Sequence, residues 1–317
     1  MKKIWKIAIV GTGAIGRSHM NAIDISENCT LGAVCDINEE AVKEYAEKYN
    51  VPYFTDYKEI PAKTDCDIVI INLPHWLHCE STIFFLENGM NVLIEKPMAN
   101  TVEECEKMIE ASKRTGKKLI VGHVQRYLVI NRKIKELVES GEFGPLCMMS
   151  ETRAEDYFTA TRPAWFTNKK LSGGGILMNY CAHSIDRLFY ITGEQEAEVF
   201  ASFGNIKTDH DVDGHAQVLL KLPSGLSASF TYDGYTLCGT EMHFHFRDAV
   251  IKVDNYNCYI KKNGCDWEDF DAVETYKYMA LQIEEMCKFF NGEPNEITEG
   301  EYGKNVLKVL EKIYNQK

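Results

Sequence analysis

The sequence predicts an α/β protein: a doubly wound parallel sheet over residues 1–122, then an α+β domain over residues 123–317 with mostly antiparallel strands. Three observations carry this. Apolar, strand-length runs alternate with amphipathic helix patterns from residue 4 to about 122, an order that requires parallel strands joined by crossover helices. A glycine-rich turn, Gly11-Thr12-Gly13-Ala14-Ile15-Gly16, separates the first run from the first helix. After residue 123 one amphipathic helix gives way to strand patterns. A chain of 317 residues also exceeds what one hydrophobic core usually supports.

The first strand is Lys3 to Val10 and its helix Ala14 to Ile25. Leu31 to Cys35 is the second apolar run, followed by a charged helix from Glu39 to Tyr49 that Asn50-Val51-Pro52 stops. Asp67-Ile68-Val69-Ile70-Ile71 is continuous in apolar residues after its first position, the mark of a strand covered on both faces. It ends at Asn72-Leu73-Pro74-His75, before a helix through Leu86. Asn91 to Ile94 is a strand that stops at Glu95-Lys96-Pro97. Thr101-Val102-Glu103-Glu104 opens a helix with a capping-box pattern, and Lys118 to Val121 is a further strand. In the second half, a helix from Val129 to Glu139 ends at Ser140-Gly141. Gln217–Leu222, Leu226–Tyr232, Glu241–Phe246 and Val250–Val253 read as a meander, and helices near Lys277–Phe290 and Glu301–Tyr314 close the chain.

The glycine turn has the order of a dinucleotide fingerprint. Gly11 makes the tight turn, Gly13 lets backbone approach a pyrophosphate, and Gly16 allows close helix–strand packing; Ala14 and Ile15 begin the helix whose N-terminus faces the phosphates. Asp36, twenty residues past Gly16, ends the second strand, where a carboxylate accepts from both ribose hydroxyls and repels a 2′-phosphate. No Arg or Lys follows before Lys43, so NAD is favoured over NADP. Ligands of such sheets bind beyond the carboxyl ends of the strands. The loops at Gly11, Asp36, Asn72–His75, Glu95–Pro97 and Gly122–Tyr127 are therefore expected at one crevice, with Asn72, Pro74, His75, Glu95 and Lys96 toward the cofactor.

Bulk properties exclude several classes. The formal charge of −12 argues against nucleic-acid or anionic-membrane partners, and no apolar run is long enough to span a bilayer. Eleven scattered cysteines without a C-x-x-C pair fit reduced thiols in the cytoplasm better than a disulfide framework or zinc site. His243 and His245 share one strand face, but spacing places no third ligand, so no metal is expected.

Two stretches supply proton chemistry. Lys96, at the end of a parallel strand, is placed to hydrogen-bond a substrate hydroxyl; a strand-end lysine paired with Glu95 or solvent is the plainer alternative. Leu171-Ser172-Gly173-Gly174-Gly175 delivers the chain into a helix with Ile176, Leu177, Ile185 and Leu188 as core and Asn179 and His183 four apart on one face. His183 is the candidate base, against the alternative of a satisfied helix histidine. Tyr157 and Trp165 either wall a pocket or pack in the core. Arg126, beside Tyr127, either anchors an acidic group or makes a helix-start salt bridge.

These motifs together resemble the Gfo/Idh/MocA oxidoreductases nearly end to end. The resemblance rests on the glycine fingerprint, Pro74-His75…His78, Glu95-Lys96-Pro97 and Gln125-Arg126-Tyr127. It continues through Trp165-Phe166, Gly173-Gly174-Gly175, His183-Ser184-Ile185-Asp186 and Asp213. It implies a Rossmann domain and a second domain with a large open sheet that mediates homodimers or homotetramers. It also implies hydride transfer between NAD and a secondary hydroxyl of a sugar, inositol or related polyol, with Lys96 and His183 on the catalytic positions and a cis peptide before Pro97. Arg126, Tyr127, Tyr157 and Trp165 are then substrate-binding candidates. Where the family usually has Asp, this chain has Asn179, which can orient a partner but cannot share its proton. Two rivals follow: an NAD-assisted glycosidase of the same family, and a catalytically decayed NAD(H)-binding regulator.

Overall fold

The computed structural model describes residues 3–207, 209–255, 257–272 and 277–316. They form two compact units, Met1–Val124 with Lys277–Lys304, and Gln125–Tyr276 with Asn305–Lys317.

The first unit alternates strands β1 (Trp5–Val10), β2 (Cys29–Cys35), β3 (Tyr53–Phe54), β4 (Ile68–Ile71), β5 (Asn91–Glu95) and β6 (Leu119–Gly122) with helices. These are α1 (Ala14–Asp24), α2 (Glu39–Tyr49), α3 (Ile60–Lys63), α4 (His78–Glu87) and α5 (Val102–Thr115). The strands are parallel in the order β3-β2-β1-β4-β5-β6, so the winding reverses between β1 and β4. All four residues of β4 are fully buried, as expected of a strand covered on both faces. Pairings Val10↔Cys35, Val10↔Ile71, Ile71↔Ile94 and Glu95↔Gly122 bring the strand ends into line. The turns that follow therefore share one edge of the sheet. Local chemistry fixes the helix starts: Asn38 Oδ1 accepts from Ala41 N at 3.1 Å, and Thr101 Oγ1 from Glu104 N at 3.2 Å.

A cut at residues 122/123 misses one feature. The helix at Tyr278–Phe290 returns to the first unit, where Met279, Ile283, Met286 and Cys287 join a core with Ile7, Ile9, Met20 and Ile23. Apolar spacing shows that a helix has a buried stripe, not which sheet the stripe covers.

In the second unit, α6 (Val129–Ser140) leads to β7 (Leu146–Ala154), the short α7 (Lys169–Ser172), a π-helical turn at Leu177–Cys181 and α8 (Ala182–Thr192). Then come β8 (Glu198–Gly204), β9 (His215–Lys221), β10 (Ser227–Asp233), β11 (Gly239–Phe246), β12 (Ala249–Asp254), β13 (Asn257–Lys262) and β14 (Glu268–Asp269). The helix at Tyr278–Phe290, α9, and α10 (Gly300–Tyr314) complete the chain. The sheet order is β14-β13-β12-β11-β7-β10-β9-β8, with β7 and β10 the parallel pair. This corrects the expected meander: β7 lies between β10 and β11. Those two strands are thus about 10 Å apart, a gap that the link from Asp233 to Gly239 crosses. One face carries Met149, Leu220, Phe230, Tyr232, Phe244 and Ile251, all buried. Helix α8 is tied to this face by Tyr232 Oη donating to Ser184 Oγ at 2.8 Å and Arg187 to Glu151 at 2.5 Å. The other face exposes Phe200, Leu219 and Met148.

Candidate functional site

In the glycine turn, two positions are glycine for reasons internal to the protein. Gly11 has φ +88°, and a Cβ there would sit 2.6 Å from Asn72 O; a Cβ on Gly16 would sit 2.0 Å from Gly11 O. Gly13 differs, because a Cβ there would meet no heavy atom of the other described residues within 4 Å, its chain neighbours aside. It is the exposed residue at the start of α1, whose first turn receives no side-chain cap, so unsatisfied N–H groups face open space there. Ala14 and Ile15 are exposed beside it. Asp36 is half-buried, with Oδ2 accepting from Thr12 N at 2.8 Å and Thr12 Oγ1 at 3.0 Å and Oδ1 from Asn38 N at 3.0 Å. Each oxygen has more than one acceptor direction, so capacity for a ribose remains. Asn72 N donates to Val10 O at 2.7 Å, while Asn72 Oδ1 is buried and meets no donor among the described residues.

Glu95-Lys96-Pro97 leaves the end of β5 through a cis Lys96–Pro97 peptide. The Glu95 carboxylate does not point outward: Oε1 accepts from His19 Nε2 of α1 at 2.8 Å and Oε2 from Lys96 N at 3.2 Å. Burial pushes its pKa up, but the hydrogen bond and charge of His19, with Lys96, outweigh that and hold it below the ordinary carboxylate value. Lys96 is half-buried between buried Glu95 and Pro97. His78 Nε2 lies 2.7 Å from Leu73 O and Nδ1 2.9 Å from Pro97 O, joining the turn after β4 to the turn after β5. Burial holds its pKa below the ordinary histidine value, against the pull of those carbonyls. Pro74 is half-buried, and His75 is buried with its ring 5.6 Å from that of His78.

In the second unit the triple glycine is a packing device. A Cβ on Gly174 would lie 2.0 Å from Tyr314 Oη, and one on Gly175 2.0 Å from Asp213 O. Asp213 holds the start of the following helix, its Oδ1 accepting from Gly175 N and Tyr314 Oη and its Oδ2 from Leu177 N, each at 2.8 Å. This is an anion at a helix N-terminus, with hydrogen bonds and dipole in agreement. Asn179 sits in the π-helical turn and His183 in the first turn of α8. Every residue from Gly174 to Ile191 is buried except these two. The helix therefore presents one amide and one imidazole outward, and π-turns in helices recur at functional sites.

The remaining candidates are more internal. Arg126 pairs with fully buried Asp186 at 2.5 Å and stacks 5.0 Å from the Tyr190 ring, the salt-bridge alternative that the sequence left open. Tyr127 and Tyr157 are buried; Trp165 is half-buried and stacked on Phe166 at 3.8 Å. Tyr180 turns away from Asn179, donating to Glu155 Oε2 at 2.8 Å. Sequence reasoning missed the His19–Glu95 bond and the three-point grip of Asp213. The signal for the first was present: His19 lies on the first helix three residues past Gly16, one turn on.

Family models match both halves of the chain: residues 5–123 to the Gfo/Idh/MocA oxidoreductase family with NAD-binding Rossmann fold, and residues 131–250 to the Gfo/Idh/MocA C-terminal domain. The chain is a Gfo/Idh/MocA oxidoreductase. Within that family it is 31% identical to Oxidoreductase P35 of Formosa agariphila over 85% of this chain and 84% of the relative. It is 29% identical to a myo-inositol 2-dehydrogenase of Thermotoga maritima over 95% and 93%. Among solved structures, the aldose-aldose oxidoreductase of Caulobacter crescentus superposes with a TM-score of 0.89 at 26% identity, covering 98% of this chain and 97% of that one. The chain spans only 54% to 58% of the length of several other curated relatives.

The Rossmann unit fits the dinucleotide implied by the family. The open space above Gly13, the uncapped start of α1 and the orphaned Asn72 Oδ1 are features that a bound pyrophosphate and its sugars would complete. Among the described residues no helix is long and apolar enough to cross a membrane.

Proposed function

We propose that this protein is an NAD-dependent dehydrogenase or reductase acting on a secondary hydroxyl, or the matching ketone, of a sugar, inositol or related polyol. The observation that carries the reading is Gly13: among the described residues no packing contact explains why that position is glycine, whereas a pyrophosphate lying on the backbone does. Bound NAD supplies the hydride acceptor. Gly13, Ala14 and Ile15 hold its phosphates, Asp36 its adenosine ribose, and Asn72, Pro74 and His75 line its path. Asp36 favours NAD over NADP because a 2′-phosphate would meet its carboxylate.

His183 takes the hydroxyl proton in oxidation and returns it in reduction; Lys96 donates to the same oxygen and stabilises developing negative charge. Asn179 orients the substrate or the imidazole by hydrogen bonding. Trp165 borders the substrate, with Tyr157 behind it, and Arg126 and Tyr127 fix the wall. The protein works in the cytoplasm, where its thiols stay reduced; no disulfide joins the described cysteines. Exposed Phe200, Leu219 and Met148 on the open sheet face support assembly into a homodimer or homotetramer.

The test is to titrate NADH and then follow nicotinamide absorbance with a panel of polyols, inositols and hexoses. His183→Ala and Lys96→Met should each lower kcat about 10²- to 10⁴-fold while NADH binding persists. Tight NADH binding without turnover on any substrate, unchanged by Asn179→Ala, overturns this reading in favour of a regulator. Glycoside cleavage without net consumption of NAD points to the glycosidase.

A further inference from the structure

Arg162 stands apart from the buried arginines of the second unit. Arg126 and Arg187 meet Asp186 and Glu151, each at 2.5 Å. Arg153 gives Nε and Nη2 to Glu155 Oε1 at 2.8 and 2.6 Å. Arg162 is half-buried, and its one side-chain hydrogen bond among the described residues runs from Nη2 to Tyr180 Oη at 3.2 Å. Its Nε is buried and meets no acceptor among the described residues. The guanidinium carbon lies 4.1 Å from the centre of the Tyr157 ring and 5.1 Å from that of Phe166, which stacks in turn on Trp165. The nearest acid in this network, Glu155, reaches Arg162 only through the Tyr180 hydroxyl and is already paired with Arg153. Arg162 thus has no carboxylate within ion-pair distance among the described residues, in a chain whose total charge is −12.

A partly desolvated guanidinium is costly without an anion, and aromatic stacking fixes its plane without neutralising its charge. Its fork of donors matches a carboxylate or a phosphate. We infer that Arg162, held between Tyr157 and Phe166, binds an anionic oxygen group of the substrate, so that the preferred sugar or polyol is an acid or a phosphate ester rather than a neutral one. The Tyr180 hydroxyl steadies the guanidinium by accepting from Nη2 at 3.2 Å. The inference rests on the dehydrogenase reading for its assignment of Trp165 and Tyr157 to the substrate side.

The test compares D-glucose with D-gluconate, D-glucuronate and D-glucose 6-phosphate. Binding is read by tryptophan fluorescence in the NADH complex, which needs no turnover, and activity by nicotinamide absorbance. At least one anionic compound should bind about 10- to 100-fold more tightly than glucose, and which of them does so separates carboxylate from phosphate. Arg162→Gln should remove that preference, raising KM for the anionic substrate with kcat within a few fold; Arg162→Lys should recover part of it. A single wild-type-like melting transition and far-UV circular dichroism for each variant show that the fold is intact. Equal affinity for neutral and anionic sugars overturns the inference, as does an Arg162→Gln variant that weakens both alike. Neutral-sugar turnover without anion preference would overturn it and leave the dehydrogenase reading standing. Anion preference without any turnover would do the reverse.

Discussion

His19 Nε2 donates to Glu95 Oε1 across 2.8 Å, with His19 fully buried. One contact thereby joins the helix that follows Gly13 to the turn that carries Lys96, so the glycine turn and the end of β5 are set relative to each other by a buried hydrogen bond. Truncating one partner leaves the other desolvated, so His19→Ala should lower unfolding free energy by about 3–5 kcal/mol, read by urea denaturation.

The same pair fixes an acid limit. The folded-state pKa of Glu95 lies below its ordinary value of 4.5. Its contribution to stability is therefore complete above that value and is lost as pH falls through the folded pKa. The stability gap between wild type and Glu95→Gln should be constant near neutrality and narrow below about pH 4.5. Urea midpoints across an acid series check this; a gap that widens on acidification would contradict it.

Asp36 holds the backbone at Thr12 and Asn38 and, in the proposed reading, also a ribose; substitution separates the two. Asp36→Ser should weaken NADH about tenfold and improve NADPH relative to it, since the carboxylate facing a 2′-phosphate is gone. It should also cost about 1.5–3 kcal/mol, because Thr12 N and Asn38 N lose their charged acceptor. Fluorescence titration with both cofactors and thermal melting read the two effects independently.

Asp213 holds the helix that presents Asn179 and His183. Asp213→Ala strands Gly175 N, Leu177 N and Tyr314 Oη, with an expected loss of about 2–4 kcal/mol. Tyr314→Phe removes one of those donors and should cost about 1 kcal/mol. A larger loss for Tyr314→Phe than for Asp213→Ala in denaturation would contradict the assignment of Asp213 as the cap.

Much of the first unit was legible because its signals are local. The run ending at Ile71, the helix Glu39–Tyr49, the Thr101 cap and the glycine spacing each depend on neighbours within a few residues. The second unit was harder to read because its central strand breaks the pattern: β7 buries Glu151, which is balanced by Arg187 of α8. A charged residue on the inner face erases the alternation that marks a strand. On the open face of β8, Phe200 is exposed and blurs the distinction from the other side. The triple glycine enters the sequence reading only as the lead into a helix and as one of the motifs that carry the resemblance. Its explanation lies in Asp213 and Tyr314, distant in sequence, and no spacing rule reaches them. His183 and Asn179 were nameable from resemblance, but their standing as the two residues between Gly174 and Ile191 that escape burial needed the fold.

The most direct test of the cofactor assignment is NADH affinity in Gly13→Ala, with Gly16→Ala as the contrast. A methyl at Gly13 meets no packing neighbour among the described residues, whereas one at Gly16 lies 2.0 Å from Gly11 O. Gly13→Ala should therefore melt within a degree or two of wild type yet bind NADH about tenfold or more weakly. Gly16→Ala should lose about 1–3 kcal/mol of stability. Gly13→Ala with wild-type NADH affinity, or a wild-type protein that retains no NADH at millimolar concentration, would contradict the account.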